Sequence, residues 1–328
     1  RRKPSILNLL GCYCRRMMIL FTVKRYDFVW VEKELFPFTP AWMEQLLSSL
    51  GIKLVLDYDD ATFHNYDRSP RSWIRRLLPR KIDRVMKASH LVLAGNEYLA
   101  SRARAAGAKR VELLPTVIDP ERYVRKPFRI PLELQLKASL NTGDDFFSGS
   151  KTKHPTIGWI GSPSTIKYLS MVSDALCELY RFKSFRFILI NAGSVRYQEF
   201  LHLPEESVQH LVWSEEEEIA QLSKIDIGIM PLPDNPWERG KCAYKLIQYM
   251  ACGIPVVASP VGMNREVVIH GKNGYLAESG QEWVKYLGDL LNSPELREEM
   301  GREGRALVEG EYTLSRNFEK LRRALLEV

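Results

Sequence analysis

Cysteine and histidine are scarce in this chain, five and six among 328 residues. The cysteines at 12, 14, 177, 242 and 252 are odd in number and lack paired metal-ligand spacing. That argues against a disulfide framework and a zinc module, and fits a reduced, cytosolic compartment. No apolar run approaches the roughly 20 residues that cross a bilayer, and the opening residues do not read as a secretory signal. There is no internal repeat of fixed period, and no finger, basic-zipper or RNA-recognition signature. Acidic residues are outnumbered, 40 against 47 Lys and Arg, giving a formal net charge of +7. A surplus of that sign suits an anionic partner, a nucleotide or a phospholipid surface, ahead of nucleic acid.

The remaining composition, 45% hydrophobic and 27% charged, is that of a globular chain long enough for two domains. Residues 226–262 are its most structured stretch. Asp226 to Pro231 reads as a buried strand, Pro233 to Trp237 as a polar loop, 240–252 as a helix, and Ile254 to Ala258 as a second buried strand. Such a βαβ unit places ligands at the carboxyl ends of its strands. Lys241, Lys245 and Gln248 fall at i, i+4 and i+7 and are expected on one helical face. A helix start favours phosphate, and a lysine there adds full charge. Solvated surface lysines are the alternative.

Strands are also expected at Tyr26 to Val31, Lys53 to Leu56, His90 to Ala94, Val111 to Pro115, Pro155 to Ile160, Phe185 to Asn191, Val208 to Trp213 and within 271–276. The intervening segments read as helices, including 1–23, 41–50, a basic one at 71–89, 97–106 and 194–202. Strands alternating with helices predict parallel sheets covered on both faces. After the strand at 155–160, Gly161, Ser162 and Thr165 form a small polar turn leading into a helix, a layout whose backbone N–H groups can cradle a diphosphate. A purely structural turn is the other reading.

The run GKCAYKLIQYMACGIPVVASPVG, with NGYLAE after it, resembles the donor-binding segment of family-four glycosyltransferases of the GT-B fold. HLVLAGNEYL and VELLPTVID resemble segments of that fold's first domain. The family pattern is Glu, seven residues, Glu, then Ala-Met-Ala-x-Gly-x-Pro-Val-Val; its second Glu holds the ribose hydroxyls and its first faces the donor sugar. Here Gly240 stands at the first position and Gln248 at the second, where an amide can still bond a ribose hydroxyl. The resemblance implies an α/β chain of two Rossmann-like domains facing a cleft. It also implies an opening strand and Gly-rich loop that residues 1–23 do not supply, so the first domain is expected to be incomplete. The expected layout is an acceptor-side domain over 1–125, a linker or insertion over 126–154, a nucleotide-sugar domain over 155–312, and a terminal helix over 313–328 that crosses back.

The implied activity is transfer of a sugar from a nucleotide sugar to a glycan or lipid-linked acceptor, with retention and without a metal. The donor is a substrate, and no cofactor is expected. Lys241 and Lys245 are assigned to the diphosphate, Gly161, Ser162 and Thr165 to the facing turn, and Gln248 to the ribose. Asp59 and His64 are the catalytic candidates on the acceptor side, with Glu32 and Glu34 as further cleft candidates. Asp57-Tyr58-Asp59 could imitate the metal-binding DxD of the GT-A fold, but the second half lacks that fold's arrangement. The basic helix at 71–89 could dock on an anionic membrane, which places the protein in the cytoplasm or at the inner membrane face. A non-catalytic nucleotide-sugar-binding scaffold is the alternative. An epimerase on the same fold would need an acid-base pair that the sequence does not display.

Overall fold

The computed structural model describes residues 6–123, 154–193 and 196–328. It divides into two compact units. The first holds the chain up to Thr116, then Asp234–Cys242, then Ser315–Val328; the second holds Val117–Pro233 and Ala243–Leu314.

The first unit is built on four parallel strands in sequence order: β1 (Val29–Glu32), β2 (Leu54–Tyr58), β3 (Leu91–Ala94) and β4 (Val111–Leu113). Successive strand residues point to opposite faces. Leu54 accordingly packs with Val23 and Leu47 on one face, while Val55 packs with Leu91, Leu93 and Ala324 on the other. Both faces are covered, which is why β2 and β3 are continuous apolar runs rather than alternating ones. Ala324 belongs to the terminal helix Leu314–Leu326, whose Leu321 and Leu325 join the same cluster.

The second unit has six parallel strands: β5 (Thr156–Gly161), β6 (Arg186–Asn191), β7 (Val208–Val212), β8 (Ile227–Met230), β9 (Val256–Ala258) and β10 (Gly274–Leu276). Their spatial order is β10-β9-β8-β5-β6-β7. The chain lays down β5, moves outward through β6 and β7, and returns to the other side of β5 with β8. The strand order therefore reverses between β5 and β8, and ligands of open α/β sheets bind outside the carboxyl ends at such a reversal.

The expected strands all form, and the α/β class with two parallel sheets is as expected. Several helices differ. Pro79 splits the basic helix into Ser72–Leu77 and Lys81–Ala88, because proline lacks the N–H that would continue it. Over 194–202 there is only a 3-10 turn at Tyr197–Glu199 among the described residues. The polar loop at 233–237 contains a short helix, Pro236–Arg239, capped by Asn235. The expected linker at 126–154 lies outside the described residues apart from His154. No helix among the described residues is long and apolar enough to cross a membrane.

Candidate functional site

The carboxyl end of β5 is shaped by what glycine lacks. A Cβ on Gly161 would overlap the Trp159 ring and lie 2.8 Å from Lys245 Nζ. The Lys245 ammonium therefore sits over the end of the strand, 4.6 Å from the Trp159 ring centroid, within cation–π range. The turn beyond it is held by its own side chains. Thr165 donates from both its backbone N and its Oγ1 to the Ser162 carbonyl, each at 3.0 Å. Ser162 Oγ lies 2.9 Å from Ser164 Oγ and 3.2 Å from Thr165 Oγ1. A 3-10 helix, Ile166–Met171, follows where an α-helix was expected.

Lys245 and Gln248 lie on the helix Tyr244–Ala251, one turn apart. Tyr249 pins this helix to β5: its hydroxyl accepts from Ile160 N at 2.9 Å and donates to Gly158 O at 3.3 Å. Ala243 precedes the helix in the left-handed region (φ 52°), a conformation that costs a non-glycine residue about 1–2 kcal/mol. That reversal corrects the expected helix start at 240. Lys241 lies outside the helix and does not share the face of Lys245 and Gln248. It falls in the first unit, 3.9 Å from Asp60.

Gln248 is buried, and its Nε2 donates to Tyr123 Oη at 3.1 Å. Tyr123 Oη in turn donates to Glu218 Oε1 at 2.7 Å, and Trp213 Nε1 donates to Glu218 Oε2 at 2.7 Å. Burial raises the Tyr123 phenol, so it stays protonated at physiological pH. Beside Gly161 in the sheet register stands Asn191, fully buried, whose side-chain amide finds no partner among the described residues. Sequence reasoning missed Tyr123, Glu218, Trp213 and Asn191. The available signal was the strand-end position of Asn191 and Trp213.

The acceptor-side candidates occupy the first unit. Asp59 is exposed and pairs with Lys33 at 3.1 Å. His64 is buried and opens the short helix His64–Asp67. Its Nδ1 faces the Asp67 carboxylate at 2.7 Å and its Nε2 faces Tyr98 Oη at 2.9 Å. A carboxylate only accepts, so Nδ1 carries a proton and donates to Asp67. Both ring nitrogens are committed, and His64 reaches outward only through the Tyr98 hydroxyl. Glu34 accepts from the Tyr66 hydroxyl at 2.7 Å and pairs with the buried amine of Lys81, and together with Glu32 it lines a cavity of the first unit. Glu32 is an exposed partner of Lys33.

Gly240 has a local reason to lack a side chain. A Cβ there would lie 2.5 Å from Ala61 Cβ and 2.9 Å from Ala61 N, while Asn96 Nδ2 holds the Gly240 carbonyl at 3.0 Å. Burial pushes the neighbouring Cys242 thiol up to about 12, which removes it as a nucleophile.

Known proteins resemble the chain in part and in whole. Spore coat protein SA of Bacillus subtilis is 37% identical over 75 residues, 22% of this chain and 20% of its own length. A Methanocaldococcus jannaschii protein named as an uncharacterized glycosyltransferase is 39% identical over 61 residues, 18% of this chain and 17% of its own. The chain thus spans a fifth or less of the length of these curated relatives. Among solved structures, sucrose-phosphate synthase from Thermosynechococcus elongatus superposes with a TM-score of 0.69 at 17% identity, covering 95% of this chain and 76% of that one. Anabaena HepE in complex with UDP-glucose gives 0.68 at 17% identity, covering 95% and 82%. This likeness shows the fold, two parallel-sheet domains of the GT-B type. The family model described as glycosyl transferases group 1 matches residues 143–307, half of the chain. The chain belongs to the glycosyl transferases group 1 family.

Proposed function

We propose that the protein transfers a sugar from a nucleotide-sugar donor to a glycan or lipid-linked acceptor, with retention at the anomeric carbon and without a metal ion. The observation that carries this is the Lys245 ammonium, held over the Gly161 turn at the strand-order reversal of the second sheet. As the anomeric C–O bond breaks, negative charge grows on the leaving diphosphate. A fixed cation and the Ser162 and Ser164 backbone N–H groups of the turn stabilise that charge more than the ground state. The acceptor oxygen then bonds the anomeric carbon on the face being vacated, and its proton passes to the departing phosphate oxygen. Gln248, one helical turn from Lys245, is assigned to the ribose. A HepE structure with bound UDP-glucose supports a uridine donor as the first to test.

Asp59 and the Tyr98–His64 pair are proposed on the acceptor side. A lipid-linked acceptor at the cytoplasmic membrane face is supported by exposed Trp73 and Leu77 beside Arg71, Arg76 and Arg80. A non-catalytic nucleotide-sugar binder is the second reading. It is favoured by Gly240, where packing on Ala61 leaves no room for the usual carboxylate.

The test is thermal shift with UDP, GDP and ADP, each alone and as common sugar conjugates, with turnover followed in EDTA. A ligand that binds the folded state raises the midpoint by mass action. One nucleotide class should shift the wild type, and the shift should largely vanish in Lys245→Ala. Absence of any shift overturns the donor-site reading; a shift without transfer or hydrolysis favours the binder.

A further inference from the structure

We propose that Glu218, acting through Tyr123, fixes which end of the Gln248 amide faces the nucleotide ribose, and that this is why the chain carries glutamine there. The inference rests on the assignment of Gln248 to the ribose.

The two ends of a carboxamide have the same shape, so only the polarity of its neighbours decides which way it points. Here the polarity is set two residues away. Glu218 opens the helix Glu218–Leu222 and is buried. Both of its carboxyl oxygens accept, one from Tyr123 Oη and one from Trp213 Nε1, each at 2.7 Å. Tyr123 has a single proton and gives it to Glu218. Toward Gln248 its oxygen therefore offers lone pairs alone, and the group 3.1 Å away must be a donor, Nε2. Tyr244 Oη, 3.4 Å from the same oxygen, is likewise restricted to donating. The amide is locked with Oε1 as the end uncommitted to Tyr123, an acceptor suited to a ribose hydroxyl. Tyr123 is itself anchored, since Arg305 donates to its carbonyl oxygen.

The same chain of polarity rejects glutamate. A carboxylate at 248 would face tyrosine lone pairs with no proton between them, beside a second buried carboxylate, and an unpaired buried charge is costly. Reversing the direction of the chain should repair it. In a Glu218→Gln, Gln248→Glu double variant, Gln at 218 still accepts from Trp213 through Oε1 and donates through Nε2 to Tyr123. Tyr123 then gives its proton to Glu at 248.

Glu218 and Tyr123 are thus positioning residues, and the test reads ribose recognition rather than activity. Calorimetric affinities would be measured for UDP and its 2′-deoxy and 3′-deoxy analogues, with circular dichroism melts confirming that each variant is folded. Wild type should prefer UDP over at least one deoxy analogue. Gln248→Glu should weaken UDP by roughly tenfold or more. The double variant should recover to within about threefold of wild type. Tyr123→Phe, which keeps the ring and removes the relay, should abolish the preference for UDP over the deoxy analogue. If wild type prefers the ribose but the double variant is no better than Gln248→Glu, the relay is overturned while the ribose assignment stands. A wild type that binds UDP and both analogues equally overturns the Gln248–ribose assignment and the relay with it.

Discussion

Asp57 is a carboxylate whose ionisation the fold resists. It is the last but one residue of β2, opposite Glu32 at the end of β1. Burial, then the Asp59 and Glu32 charges, push its carboxyl up to about 6, with the Lys33 charge and then the Trp30 side chain acting the other way. An unfolded aspartate titrates near 4. Between about pH 4 and 6 the folded state keeps a proton that the unfolded chain has released, so stability falls as pH rises through that window. Above about 6 the loss is complete, and for this partly exposed side chain it amounts to roughly 1–2 kcal/mol after solvent screening. Asp57→Asn should therefore stabilise the protein by about that amount at pH 7.5 and hardly at all near pH 4. Urea unfolding at the two pH values checks this, and equal effects at both would refute it. At this scale the sequence was legible where chemistry is local. Gly161, Ser162 and Thr165 are neighbours in the chain, and their turn could be read directly. Tyr123 is 95 residues from Glu218 and 125 from Gln248, and no periodicity reports a contact at such separations.

The elements were legible where a pattern has one physical cause. Strands buried on both faces leave short apolar runs between turn residues, and all ten were found within a few positions. The helix around Lys241 was misread because a proline at its first turn and an asparagine cap start a separate short helix at 236. The left-handed Ala243 then resets the chain before Tyr244. Helix packing also inverts a local rule at Gly301, inside the helix Pro294–Glu311. Helix propensity alone favours Ala over Gly by about 1 kcal/mol. Yet a Cβ at 301 would overlap the carbonyl oxygen of Gly253, which ends the Tyr244–Ala251 helix, and backbone cannot move aside as a flexible side chain can. Overpacking of this kind costs about 1–3 kcal/mol, enough to outweigh the propensity gain. Gly301→Ala should therefore lower stability, whereas Gly310→Ala on the same helix, where a Cβ meets nothing within 4 Å, should raise it slightly. Denaturant midpoints of the two variants, measured side by side, should move in opposite directions. A gain at both positions would show that the close approach of the two helices is not maintained in solution.

For the whole molecule the deciding quantity is charge set beside exposed apolar surface. A net charge of +7 draws the protein toward any anionic surface but does not choose among them. On the proposed membrane reading, the choice comes from the helix Ser72–Leu77. Its Ile74 is buried in the first unit, while Trp73 and Leu77, one turn apart, are 51% and 68% exposed. Of its two arginines, Arg75 donates to the Ser69 carbonyl. Arginines around an exposed Trp–Leu pair suit an anionic bilayer, where the charges meet headgroups and the apolar pair enters the interface. A polyanion in solution would use the arginines and leave Trp73 and Leu77 without a role. Co-sedimentation with vesicles containing about a third anionic lipid, against neutral vesicles, separates these terms. Binding should require the anionic lipid and weaken steeply as salt shortens the screening length below about 10 Å. Trp73→Ala with Leu77→Ala leaves every charge in place and should still weaken anionic-vesicle binding by roughly tenfold or more. If the double variant binds as wild type does, the attraction is diffuse electrostatics, and the helix has no part in presenting the protein to a lipid-linked acceptor.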